Sequence, residues 1–101
     1  MFLGLWTLGS TMTINLQAKN GNAPVTVDSG TSSCKVYLGT SSTAVATVTV
    51  TSTVTDSQTG YHKHSVALTV ANGLAAGIYT MRWAYQVSSV AKVQEYAIQV
   101  V

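Results

Sequence analysis

Two histidines are the side chains best placed to do chemistry in this sequence of 101 residues. His62 and His64 lie two apart in a stretch of alternating character, so on a strand both rings would emerge from one face and could reach one metal ion. Structural zinc usually takes four ligands. The remaining candidate ligands are Cys34, Asp56 and Glu95. Because a third histidine and a second cysteine are missing, we favour the alternative, in which both rings sit half-buried and hydrogen-bonded above Val66, and we predict no metal site and no cofactor.

Catalytic groups are scarce. The chain has three Asp or Glu residues, two His and one Cys, and charged residues make up 8% of it, against about 25% in a typical domain. No serine lies in a G-x-S-x-G motif, and no glycine-rich phosphate-binding motif is present. The carboxylates are far apart in sequence, so an acid and base pair is not expected. We therefore predict that the protein is not an enzyme.

The charge pattern and the single cysteine limit the possible partners. The five cations are scattered and the net charge is only +2, so no nucleic-acid site is predicted. Cys34 has no partner within the chain, which suits folding in a reducing cytoplasm, although a bridge to another chain remains open. A membrane span needs about 20 apolar residues, and the apolar stretch at the start of the chain has eight. We predict a soluble protein with no membrane partner.

That apolar stretch, residues 1–8 (MFLGLWTL), is the most informative feature of the sequence. Its large side chains could bury several hundred Å² wherever they dock, worth several kcal/mol at about 25 cal/mol per Å². Residues 1–10 are therefore either an apolar N-terminal arm that docks on a neighbouring subunit or an extra edge strand on the body formed by residues 11–101. The predicted partner-interface residues are Phe2, Leu3, Leu5, Trp6 and Leu8.

The body alternates between polar and apolar residues in about seven segments separated by turn signals, the pattern of an antiparallel sandwich or small barrel. The predicted strands are residues 11–18, 25–27, 34–38, 44–55 with a bend near Ser52, 61–70, 77–87 and 90–101. Turns are expected at Asn20-Gly21, residues 56–60 and Ser88-Ser89. The predicted inward-facing residues are Met12, Ile14, Leu16, Cys34, Val36, Leu38, Val48, Val50, Val54, Val66, Leu68, Val70, Tyr79, Met81, Trp83, Tyr85, Val87, Tyr96, Ile98 and Val100, with Leu74 as a plug under a connecting loop.

The aromatic residues of the 77–87 segment have two interpretations. Tyr79, Trp83 and Tyr85 share one face and could form a sugar-stacking platform. The opposite face of the segment is mostly polar, however, so burial of the aromatic face is needed to give the body a core. We favour the core interpretation.

Residues 74–83 (LAAGIYTMRW), followed by residues 90–100, resemble the last two strands of small immunoglobulin-like domains found in bacteriophage virion proteins. The Thr/Val-rich segment, the 56–60 turn and residues 61–70 are similar as well, so the resemblance covers residues 44–101. It implies an all-β fold, an antiparallel immunoglobulin-like β-sandwich, with Tyr79 as a tyrosine corner whose hydroxyl bonds the backbone near residues 72–75. The disulfide cysteines and the tryptophan of antibody domains are missing.

The resemblance implies a non-enzymatic structural virion protein, most simply a capsid decoration or cement protein, otherwise a neck or tail accessory. Its partners would be the major capsid protein, other virion proteins or sister copies in a homo-oligomer, and it would reside in the virion after synthesis in the host cytoplasm. Low charge and an apolar leading segment suit such a permanent assembly. The alternative is an adhesin-type or carbohydrate-binding module, which predicts an exposed aromatic cluster near Tyr37, Tyr61 or Trp83.

Overall fold

The computed structural model describes residues 2–28, 30–39, 41–52 and 61–101. These residues form nine strands and one 3-10 turn, and no α-helix lies among them. The elements are β1 (Phe2–Trp6), β2 (Thr11–Gln17), β3 (Lys19–Asn20), β4 (Ala23–Pro24), β5 (Ser33–Leu38), β6 (Ala44–Ser52), β7 (Tyr61–Ala67), the 3-10 turn Val70–Asn72, β8 (Gly77–Val87) and β9 (Val90–Val100). The predicted all-β class is confirmed.

Seven of the strands form one mixed sheet in the order β1-β9-β8-β5-β6-β7-β2, and β3 and β4 form a separate hairpin. The sheet curls into a nearly closed barrel, because the rings of His64 on β7 and Trp83 on β8 meet at 4.4 Å across the interior. The expectation of purely antiparallel pairing is wrong at one place, since β1 runs parallel to β9. After β1 the chain crosses to β2 at the opposite end of the strand order instead of turning back along β9.

One strand, β6, pairs with different neighbours along its two halves. It pairs with β5 up to the Cys34–Val48 pair and with β7 from the Thr49–Ser65 pair onward. Between Val36 and Tyr37 the β5–β6 register shifts by one residue, a bulge that increases the local twist. This bulge lies near the start of β6, earlier in the strand than the bend that was predicted near Ser52. The predicted turn at residues 56–60 and the inward Val54 lie outside the described residues.

The interior is filled by the predicted inward faces, and Leu74 is the predicted plug, almost fully buried. Two members of the predicted set are exposed instead. Leu38 is at the end of β5, just beyond the bulge, and Val70 is 72% exposed because β7 ends at Ala67 and the alternation gives way to the 3-10 turn. The predicted strand at residues 25–27 is also wrong. Val25 instead donates its N–H to the carbonyl of Ala18, outside any strand.

Two tight hairpin connections have residues at positive φ. Ser88 and Ser89 at the predicted β8–β9 tip both have positive φ, at 50° and 66°, as a two-residue hairpin turn requires. The carboxylate of Asp28 accepts both of their N–H groups, at 3.1 and 2.7 Å. In the β3–β4 hairpin the two-residue loop is residues 21–22, one residue later than predicted, with Gly21 at φ 64°.

The tyrosine corner is confirmed at Tyr79. Its hydroxyl donates to the carbonyl of Ala75 and accepts the N–H of the same residue, both at 3.0 Å. The ring is buried, so these bonds fasten the loop that carries Leu74 to the start of β8. The loop thereby closes the core at this end.

Candidate interaction surface

A bulge in β1 sets the orientation of the apolar leading segment. Phe2 pairs with Ala97 and Leu5 with Gln99, so three steps along β1 match two along β9. Gly4 lies within the bulge at φ 104°, a conformation that favours glycine because other residues would strain their Cβ there. The extra residue resets the alternation of side chains, so Phe2 and Leu5 share the outward face although they are three residues apart.

The outward residues of β1 continue into an exposed apolar patch on β9 and β8. In the register, Leu5 and Ile78 flank Gln99, and Phe2 lies beside Ala97. Phe2, Leu5 and Ile78 are 55%, 63% and 60% exposed. We call the set Phe2, Leu5, Ile78 and Ala97 the outer apolar patch. Further along the same face, Arg82 pairs with Glu95 at 3.2 Å and lies over the ring of Tyr37.

The other predicted interface residues face inward. Leu3, Trp6 and Leu8 are partly buried and pack against the core. Main-chain bonds hold the segment to its own body, since Leu8 donates to the carbonyl of Val101 at 2.9 Å and Gly9 donates to that of Leu68 at 2.6 Å. The five predicted residues therefore divide into an outward pair and an inward trio, and the trio can meet a partner only by leaving the core.

The indole of Trp6 carries an unusual feature. Its Nε1 is buried without a hydrogen-bond partner among the described residues. A buried unpaired N–H costs roughly 1 to 3 kcal/mol. Packing of this ring against the core offsets that cost.

The two histidines lie on one face of β7, as predicted, but they differ in burial. His64 is fully buried, and its Nδ1 lies 3.0 Å from the carbonyl of His62, so Nδ1 carries the proton of the neutral ring. Burial lowers the pKa of His64 to about 4 and also lowers the pKa of the half-buried His62. Both rings meet the buried Trp83 edge-on. Within the described part of the chain, no cluster of three metal-ligating side chains exists.

The sole thiol is shielded from reaction. Cys34 is buried on β5, and burial raises its pKa to about 12. The thiolate is the nucleophilic form. At neutral pH Cys34 therefore stays protonated and acts as a small apolar core residue.

The aromatic stripe of β8 is core, as favoured from the sequence. Trp83 is fully buried and its Nε1 donates to Ser32 Oγ at 2.7 Å. The hydroxyl of the buried Tyr85 donates to the carbonyl of Lys19 at 3.0 Å. Tyr37 is half-buried beneath the guanidinium of Arg82. Trp83 thus offers no ring face to a sugar, and Arg82 covers one face of the Tyr37 ring.

A groove that the sequence reasoning missed lies where the barrel fails to close. β1 pairs with β9 only from Ala97 onward. Beside the residues of β9 that precede Ala97, a cavity of about 440 Å³ separates β9 from the end of β2. We call it the seam groove. Gln94 bridges it, because its amide nitrogen donates to the carbonyl of Gln17 at 3.1 Å and its amide oxygen accepts from the hydroxyl of Tyr96. No local pattern signals this groove, since it depends on how far β1 reaches along β9.

No protein-family model matches the chain, and no curated protein is significantly similar to it. Among the described residues no helix is long and apolar enough to cross a membrane.

Proposed function

We propose that this protein is a non-enzymatic structural protein that docks into a permanent assembly through its outer apolar patch. The observation that carries the proposal is the Gly4 bulge, which turns Phe2 and Leu5 outward beside Ile78. Large apolar side chains that cluster on an exposed surface are typical of interaction sites. Large side chains that enter partner pockets supply most of the energy in such interfaces.

The state of the reactive side chains supports a non-enzymatic role. Burial keeps the thiol of Cys34 protonated and the ring of His64 neutral near pH 7. Of the carboxylates, Asp28 holds the β8–β9 tip and Glu95 is paired with Arg82. These groups make structural contacts, which supports adhesion by burial as the mechanism.

The finer fold assignment belongs to the same proposal. We infer an immunoglobulin-like sandwich whose layers are β1-β9-β8-β5 and β7-β2, with β6 shared between them. The strand order and the tyrosine corner at Tyr79 support this inference. From the resemblance of residues 44–101, we propose that the protein belongs to a bacteriophage virion. It would be a capsid decoration or cement protein, or a neck or tail accessory, bound to the capsid protein, another virion protein or sister copies.

The docking proposal is tested with the double variant Phe2→Glu, Leu5→Glu. Both side chains are exposed, so the melting temperature should hold while association is lost. The matched control is Val90→Glu, an equally exposed apolar residue (54%) at the far end of β9. In sedimentation velocity over a range of concentrations, the wild type and the control should associate and the double variant should stay monomeric.

The virion setting is tested separately, with an antibody against the chain applied to purified virus particles. We expect the protein to sediment with the particles at many copies each. Its absence from particles, together with a monomeric wild type at every concentration, would overturn the proposal. Binding of the isolated chain to a glycan array would support the carbohydrate-binding alternative instead.

A further inference from the structure

The strand β9 is paired on both sides only over its last four residues, 97–100. In a two-residue hairpin, the residues that flank the turn, here Val87 and Val90, bond each other, so every second residue from Ala91 points its N–H and C=O away from β8. On that side β1 begins at Ala97, and no described strand pairs with Ala91, Val93 or Glu95. An edge of this kind is a template for another strand. We call residues 91–95 the free half-edge.

The seam groove runs beside the free half-edge, and positively charged side chains line part of it. Its volume of about 440 Å³ lies within the roughly 300 to 1,000 Å³ of typical binding clefts. Tyr96 and Leu16 line its apolar part, and Lys19 and Lys92 line it as well. Neither lysine forms an ion pair with a described residue. The carboxylate of Glu95 lies on the outer face with Arg82, away from the groove.

We infer that the free half-edge binds an extended, acidic segment of a different protein by strand addition. Main-chain bonds to Ala91, Val93 and Glu95 would supply the ladder, and alternate side chains would enter the seam groove. Acidic side chains among them meet Lys19 and Lys92. Charge complementarity of this kind sets specificity and register.

A second copy of this chain is a poor source of such a segment. The chain has only three Asp or Glu residues. Asp28 holds the hairpin tip and Glu95 pairs with Arg82, while Asp56 lies outside the described residues. The inference goes beyond docking through the outer apolar patch. It stands if that docking fails, since the free half-edge shares no residue with the patch.

The test is an array of capped octapeptides in which Glu alternates with Val, Leu, Phe or Thr, each matched by a peptide with Lys in place of Glu. Wild-type protein should bind the Glu peptides in preference to their Lys partners. Hydrogen exchange of the complex should show new protection at the amides of Ala91, Val93 and Glu95. The Phe2→Glu, Leu5→Glu double variant should bind the peptides as the wild type does.

Two matched pairs of variants locate the contact. Val93→Pro removes an outward N–H at an edge position where proline is tolerated, and it should abolish binding, whereas Val93→Thr keeps the N–H and should retain it. Lys92→Glu should weaken binding at least about threefold, and Lys35→Glu, on the outer face of β5, should leave it unchanged.

Three results would overturn the inference. The first is an array on which no Glu peptide binds better than its Lys partner. The second is binding without protection of the three amides, a measurement that needs no variant to fold. The third is tight binding of a soluble acidic polysaccharide such as polygalacturonate, with no peptide binding, which would assign the seam groove to acidic sugars.

Discussion

The buried ring of His64 makes the stability of the protein depend on pH. Its pKa in the folded state is about 4, below the 6.5 of an unfolded histidine, because burial disfavours the charged ring. Between these two values the unfolded chain binds a proton that the folded chain does not. The free energy of unfolding therefore falls as the pH is lowered through this window and is fully retained above about pH 6.5.

We expect the wild type to be roughly 2 kcal/mol less stable at pH 5 than at pH 7.5, from about 1.4 kcal/mol for each pH unit below 6.5. Replacing His64→Gln should remove most of this dependence, because glutamine does not titrate. Urea unfolding followed by the tryptophan fluorescence of the chain, which includes Trp83 beside the ring, measures the change.

The control for this prediction is His62→Gln. His62 is half-buried, so solvent screens its charge and its removal should leave most of the pH dependence in place. A His64→Gln variant with the same slope as the wild type between pH 5 and 7 would contradict the assignment.

The hydroxyl of Tyr79 is a second single group on which the stability of the fold depends. Tyr79→Phe removes the group that satisfies both the N–H and the carbonyl of Ala75. We expect a loss of about 2 kcal/mol in unfolding free energy, with faster hydrogen exchange around Leu74. Tyr37→Phe is the matched control, since Tyr37 is half-buried and its ring, not its hydroxyl, makes the described contact with Arg82, so it should change stability by less than about 0.5 kcal/mol.

At the scale of elements, the β8–β9 hairpin is held in a turn that its residues do not favour. Ser88 and Ser89 both adopt positive φ, which costs roughly 1 to 2 kcal/mol for a residue with a Cβ, and Asp28 compensates by accepting both N–H groups. We expect Ser89→Gly to raise the free energy of unfolding by about 0.5 to 1 kcal/mol. Thermal melting measures this, and Ser10→Gly, outside this turn, serves as the comparison. A fall in melting temperature for Ser89→Gly would show that the turn is not strained.

The bounds of β8 and β9 could be predicted closely, because uninterrupted alternation and a clear tip define both strands. β7 was predicted too long, because the chain enters the 3-10 turn after Ala67, and Val70 is exposed there. The predicted end of β5 at Leu38 is right, but Leu38 is exposed because it lies beyond a bulge in the β5–β6 pairing, which period-two alternation does not encode. The parallel pairing of β1 with β9 had no sequence signal, because it joins the two ends of the chain.

The candidate surface could be predicted only in part, because it too depends on a bulge that alternation does not encode. The leading segment was identified from its composition, but the division of Phe2 and Leu5 from Leu3, Trp6 and Leu8 depends on the bulge at Gly4. The same spacing without a bulge would place Phe2 and Leu5 on opposite faces. The free half-edge and the seam groove depend on the register of β1 along β9, which sets Phe2 opposite Ala97 and is a property of tertiary structure.

At the scale of the whole molecule, the leading segment contributes both a strand to the sheet and side chains to the core. Removing residues 1–6 would uncover the upper edge of β9 and the core side chains beneath Leu3 and Trp6. We expect a loss of about 3 kcal/mol or more, and a fall in melting temperature of more than about 10 °C.

The outcome of that truncation separates two roles of the segment. The Phe2→Glu, Leu5→Glu variant keeps Leu3 and Trp6 and should melt close to the wild type. A truncated chain that melts like the wild type but no longer associates would show that the segment is an arm for neighbouring subunits instead of a structural strand.

The shielded thiol of Cys34 has a practical consequence for all of these measurements. Because the only cysteine is buried and has a pKa of about 12, it should react with maleimide far more slowly than a thiol at the surface. A cysteine introduced at an exposed site would therefore take a dye or spin label selectively, with the native cysteine left in place. Distances across the molecule and between copies could then be followed spectroscopically in an otherwise unaltered chain.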